Sequence, residues 1–391
     1  MIGQRLRQLR LSRNLTLEAL AAEMGGIVTK QALFKYEHDQ AQPSPIVLSK
    51  LAAALGVKST HLFSRPMLRT EFIAYRKGSA LTKKNENMVK ALVEQALEDR
   101  IHVQELLGQS NSFMLPIKQL QVQQIEDTET AAVDLRNRWK LGFDPITNVT
   151  ITLEDHLLCV LDVEASEKFD GISAITYDEE NRLRAAAIVT RRGTPGERQR
   201  LNLTHELGHL VLNVSDDIDE EKAAFRFGAA FLAPAEKLLQ EVGPKRSLIQ
   251  PEELLLLKKK FGISIQALLY RLRDLAIITE SYYRQWCINI NRIGWKKREP
   301  LELQNEEAQW LRRNVLRLIA EGLISSADAE RILKKKLELE QPASIVERRA
   351  FLKLPLEKRR QILAEQAKKM AKYYEQNSEW RDIEGSDVIE F

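Results

Sequence analysis

The chain has 391 residues, 44% hydrophobic and 29% charged, with a formal net charge of +4, a length beyond what one hydrophobic core usually serves, so two or more domains are expected. No stretch approaches the roughly 18 apolar residues of a membrane helix and the start lacks a signal peptide's apolar core, which argues against a membrane partner. The two cysteines, Cys159 and Cys287, lie far apart, excluding a disulfide framework and a thiolate zinc cluster and suiting a reducing cytoplasm.

Residues 1–66 hold nine Lys/Arg against four Asp/Glu, so the basic excess sits where a nucleic-acid-facing module would need it. Leu6, Leu9, Leu17, Leu20, Leu33, Leu48, Leu51 and Leu55 recur at helical spacings. Thr16 and Thr29 are expected N-caps, Gly25 and Gly26 end the second helix, and Pro43 and Pro45 force a turn before a fourth helix over Ile46 to Leu55. Two helices joined by a short turn lay a recognition helix in the major groove. Thr29, Lys30, Gln31, Phe34 and Lys35 are predicted to face DNA, with Gln31 suited to adenine, Lys30 to guanine or phosphate, and Arg5, Arg10 and Arg13 as backbone clamps. In Leu17 to Ala21, Tyr36-Glu37 and Leu51 to Gly56 the segment resembles the XRE/Cro repressor family. The resemblance implies a helix-turn-helix domain over 1–66, operator DNA such as its own promoter as partner, and a homodimer where the operator is palindromic. Gly26 to Val28 lengthens the turn relative to that family.

Residues 67–120 are expected to form a linker and spacer helix, from a short alternating stretch over Glu71 to Tyr75 into a polar helix over Asn85 to Leu107. Thr128 to Leu141 predicts another helix, followed by Gly142 and Pro145. Leu157 to Val163, Ile172 to Tyr177 and Ala185 to Val189 are short apolar runs separated by Gly, Asp and Asn, as in the strands of a small sheet. The fold class is therefore α+β: an N-terminal all-α domain joined to a mixed domain over 121–300, with helical segments beyond it.

The next helix carries the chemistry. His205 and His209, one turn apart, present two imidazoles on one face to a single ion. Glu206, beside the first and projecting differently, can hold a water next to the metal and take its proton as that water attacks a carbonyl. Leu203, Leu207, Leu210 and Leu212 make this a buried helix, and Gly208 leaves room for another backbone. A catalytic zinc needs three protein ligands and an open position. After the polar break of 213–219 comes a closely packed helix ending at Pro234. Glu221 near its start is the best third ligand, with Glu220 and Asp219 as alternatives, although acidic residues also suit a first turn for dipole reasons. Arg271, Arg273 and Asp274 are expected in structural salt bridges, and Trp286 and Trp295 in the core.

Phe169 to Ser173, Glu197 to Leu210, Glu221 with Phe227 to Pro234, and Phe261 to Arg271 resemble the ImmA/IrrE metallopeptidases, many of which carry an N-terminal XRE domain. The similarity runs over about residues 1–335. It implies a gluzincin-like fold, Zn2+ held by residues matching His205, His209 and Glu221, a catalytic Glu206, and protein substrates that are often XRE-type repressors. Phe225 departs from the pattern, standing where many relatives have Asn. Beyond it, 301–340 reads as a helical extension and 341–391 as an amphipathic helix with an acidic end, similar to short tails of type II antitoxins and suited to folding on a partner such as a cognate toxin. Two functions follow: a DNA-binding regulator fused to a zinc endopeptidase that cuts a regulatory protein, or an antitoxin-type repressor whose zinc domain senses a signal or holds a partner with little turnover.

Overall fold

The computed structural model describes residues 2–63, 68–73, 83–109, 115–164, 169–337 and 351–376. The chain divides into a unit of Met1–Lys335 and a second of Lys336–Phe391. No described helix is long and apolar enough to cross a membrane.

The first unit begins with α1 (Gly3–Ser12), α2 (Leu17–Glu23), α3 (Lys30–Glu37) and α4 (Pro45–Ala54). Leu6, Leu20, Leu33 and Leu51 are fully buried in a core of their own. Thr16, Thr29 and Ser44 each accept a hydrogen bond from the amide three residues on, satisfying donors the first turn leaves open. Gly25 and Gly26 take φ of 73° and 71°, a conformation that costs glycine least.

The stretch expected to be a linker is instead structural. β1 (Arg69–Phe72) pairs antiparallel with β4 (Gly171–Tyr177), which pairs antiparallel with β5 (Leu183–Arg191), itself parallel to β3 (Leu158–Val163). The spacer helix, α5 (Lys83–Leu106), covers one face of this sheet. Val89, Val93, Leu97 and Ile101 meet Ala185, Ala187 and Val189 of β5, while the alternate residues Ala186 and Ile188 face the other core, as strand periodicity requires. α5 also carries the N-terminal domain, since Arg5 of α1 pairs with Glu98. The rest of the alternating stretch, Ala74 and Tyr75, falls outside the described residues.

The second face is covered by α8 (Gly196–Val211), directly after β5, packed against α9 (Glu220–Leu232), which packs in turn on α6 (Asp127–Arg138). Two parallel strands, β2 (Leu120–Val122) and β6 (Leu212–Val214), flank it. α7 (Val149–Asp155), α10 (Ala235–Val242), α11 (Pro251–Phe261), α12 (Ile265–Asp274) and α13 (Glu280–Arg292) complete this layer. Residues 299–309 follow as a strap without helix along the start of α8: Leu303 donates to Glu197, the Glu306 amide donates to Gln199, and Arg200 pairs with Glu306 at 2.6 Å. Among the described residues the helical extension expected over 301–340 is thus α14 (Trp310–Ala320) and α15 (Ser326–Leu333), because the residues before them satisfy backbone groups on side chains of α8 and α7. In the second unit α16 (Leu356–Gln376) is helical, with Leu356, Leu363 and Met370 exposed. The acidic end, 377–391, lies outside the described residues.

Candidate metal centre

Every residue of α8 except Arg198 and Leu201 is buried. Such depth allows no bulk where α9 crosses it. A Cβ on Gly228 would stand 2.9 Å from the His205 backbone nitrogen and 3.0 Å from Thr204 Oγ1, and one on Gly208 would stand 3.1 Å from Ala224 Cα. The two glycines bring the helix backbones together, as expected for Gly208, and the start of α9 falls over the histidines. Asp219 caps α9 by accepting from the Lys222 amide at 3.2 Å, which sets the orientation of the two glutamates that follow.

His205 Nε2 and His209 Nε2 lie 3.1 Å apart, Glu221 Oε2 lies 3.5 Å from the first and Glu221 Oε1 3.6 Å from the second. Ligands about 2.0–2.1 Å from a tetrahedral zinc are separated by about 3.3–3.4 Å, so these three groups already stand near the corners of one coordination sphere. The imidazoles are 3% exposed and the Glu221 side chain 43%, leaving the carboxylate at the open side. The residue types, two imidazoles and a carboxylate, form a donor set suited to a divalent ion such as zinc, and the geometry brings together the same three residues that the sequence singles out.

The two alternative ligands have other work. Asp219 is the cap. Glu220 Oε1 lies 3.6 Å from His209 Nδ1, the nitrogen turned away from the cluster, and accepts from Lys118 Nζ at 2.9 Å. A carboxylate on the far nitrogen fixes the tautomer and orientation of a ligating imidazole. Burial holds the His209 imidazole below its usual range, against the attraction of Glu221 and Glu220, so it is neutral and available as a ligand at pH 7. Burial pushes the Glu220 carboxyl up, but Lys118 and His209 outweigh it and hold the carboxyl below its usual range. Lys118 carries no motif; only the tertiary contact reveals it.

Glu206, 3% exposed, projects toward the start of β4. A Cβ at Gly171 would meet its Oε1 at 2.8 Å, so this glycine makes space for the carboxylate. The approach to β4 is held by Asp170, which pairs with Arg198 at 2.7 Å and accepts from Asn202 through its backbone oxygen. Phe225, the departure from the family pattern, lies with its ring 4.0 Å from that of His205 and is 40% exposed. It supplies an apolar wall where an amide would supply a hydrogen bond. Arg271 pairs with Glu129, Arg226 with Asp274 and Arg273 with Glu280, the structural bridges expected of that region. Trp286 is buried, whereas Trp295 is half-buried on the wall of a cleft.

On the N-terminal domain, Thr29, Lys30, Gln31, Phe34 and Lys35 are all exposed along α3. The Thr29 hydroxyl is engaged in capping and Lys30 pairs with Glu18. Arg13 is exposed, its guanidinium donating to Ala54 O at 2.8 Å. Arg5 and Arg10 correct the expectation of backbone clamps: both are buried, Arg5 against Glu98 and Arg10 in a two-pronged pair with Glu37 at 2.6 and 2.8 Å. Guanidiniums compensated in this way hold the fold together and do not reach phosphate.

Residues 6–62 match the helix-turn-helix family, and residues 172–273 match the IrrE N-terminal-like domain, a family of M78 peptidases. The chain therefore joins a DNA-binding helix-turn-helix of XRE type to a domain of metallopeptidase type. No curated protein matches the chain.

Proposed function

We propose that the protein is a DNA-binding regulator fused to a zinc endopeptidase that hydrolyses a peptide bond of another regulatory protein, such as an XRE-type repressor. The observation that carries this reading is the cluster of His205, His209 and Glu221 within 4.8 Å of one another, its two imidazoles on α8, the helix that buries Glu206, and its carboxylate on α9. Zinc, when bound there, supplies Lewis acidity toward a water and the scissile carbonyl. Glu206 accepts the proton of the attacking water and returns it to the leaving amine. Its low exposure keeps solvent from competing for that proton, and Gly171 leaves its carboxylate room to turn. Glu220 and Lys118 position His209. A purely structural metal site would have no use for a buried base adjacent to the ligands.

Thr29, Lys30, Gln31, Phe34 and Lys35 are the proposed DNA-reading face, with Arg13 at its flank. The test compares protein N-termini in cells expressing the native chain and Glu206→Gln. The expected result is a cleavage product of a regulatory protein that appears with Glu206 alone. Identical N-termini in the two, with both proteins binding zinc, would refute the proteolytic reading.

A further inference from the structure

Beside the metal centre lies a cleft of about 720 Å3, walled by α8, α9, α12 and the segment after α13. It reaches the metal cluster at Phe225, the residue that packs on His205. Its apolar floor is aromatic: Phe225, Tyr270, Tyr283 and Trp295 line it, with Phe225 and Tyr270 40% and 46% exposed. Large rings left this open in a concave surface favour a partner that covers them.

The charge of the cleft is one-sided once internal pairs are removed. Its carboxylates are all paired: Asp170 with Arg198, Asp274 with Arg226 and Glu302 with Arg298, while Glu197 and Glu299 share the one ammonium of Lys258, which leaves a single negative charge on two largely buried groups. Arg271 is spent on Glu129. Lys222, Lys296 and Lys297 are exposed and form no ion pair among the described residues. Lys222 stands on α9, one residue from Glu221, and the other two on the segment after α13, so uncompensated positive charge lies on two separate walls with the aromatic floor between.

We propose that this cleft binds a peptide segment bearing carboxylates together with aromatic or aliphatic side chains, and that it is the surface by which the metal centre selects its substrate. Positive rim and aromatic floor are complementary to such a segment, and Phe225 carries it to the reacting centre. The role as substrate surface rests on the proteolytic reading; the binding itself does not.

The test uses the full chain carrying Glu206→Gln and a short fluorescein-labelled peptide of Glu, Leu and Tyr, with a second peptide in which every Glu is Lys. Anisotropy is expected to show the acidic peptide bound at least about tenfold more tightly, and Lys296→Glu with Lys297→Glu to weaken it by about tenfold. Equal binding of the two peptides, indifference to the charge reversal, or displacement by a single-stranded oligonucleotide at lower concentration than by unlabelled acidic peptide would overturn the proposal. Zinc-loaded native chain separates it from the proteolytic reading. Binding of the acidic peptide without hydrolysis supports the cleft and counts against proteolysis, whereas equal hydrolysis of both peptides supports proteolysis and overturns the cleft.

Discussion

Gly228→Ala adds one methyl group where α9 touches α8, and its effect follows from the contacts that methyl would make. The new Cβ would lie 2.9 Å from the His205 nitrogen and 3.0 Å from Thr204 Oγ1, backbone and buried side chain that cannot swing away. Ordinary contact requires about 3.4 Å or more, so the helices must part by about half an ångström, at about 1–3 kcal/mol for overpacking. Replacing glycine by alanine in a helix returns about 1 kcal/mol, leaving a net loss of about 0–2 kcal/mol that urea unfolding would read as modest. The metal site has less latitude. Glu221 rides on α9 at 3.5 and 3.6 Å from the two imidazole nitrogens, and metal–ligand distances tolerate about 0.2 Å. Zinc affinity, measured by competition with a chromophoric chelator, should fall by at least about tenfold while the protein stays folded. Unchanged affinity would refute the claim that the glycine contact places Glu221.

Three further outcomes are expected. Lys258→Met leaves the buried carboxylates of Glu197 and Glu299 without their shared ammonium and should cost about 3–5 kcal/mol by urea denaturation; a loss below 1 kcal/mol, on the order of an exposed pair, would contradict the buried network. Burial pushes the Asp99 carboxyl up to about 6. The folded state therefore binds more protons than the unfolded one between about pH 3.8 and 6, and this group's contribution to stability improves as pH falls through that window. Asp99→Asn should accordingly raise stability at pH 7 by about 1–2 kcal/mol, discounted for partial exposure, and flatten the pH dependence; destabilisation at pH 7 would contradict it. Finally, Gln31→Ala should weaken one specific DNA site by about 1–3 kcal/mol and leave the salt dependence unchanged, while Lys35→Ala should reduce that dependence; identical profiles for the two would count against α3 as the reading helix.

The candidate metal cluster was legible because its residues are local: His205 and His209 sit one turn apart, and Glu221 stands in the first turn of the next helix. The helices of the N-terminal domain announced themselves through caps and leucine spacing. What stayed hidden depends on contacts between distant parts of the chain. Arg5 and Arg10 have the same composition signature as surface cations, and only Glu98 and Glu37, far along the chain, reveal them as buried. β1 is a four-residue strand, too short for an alternating pattern to fix its partner. The strap over 299–309 has no period, since its hydrogen bonds go to neighbouring elements, α7 and α8 among them, and not along its own chain. Gly228 did carry a signal, a glycine inside a helical pattern with no turn nearby, which usually marks a close approach. Nothing local marks Lys118 or the cleft.

The most direct test of the metal centre is the zinc content of the purified native chain beside Glu221→Ala and Glu206→Gln. One equivalent of zinc in the native chain and in Glu206→Gln, with at least about a tenfold loss of affinity in Glu221→Ala, is the predicted result. Full zinc retention by Glu221→Ala, or loss of zinc from Glu206→Gln, would contradict the assignment of ligand and base.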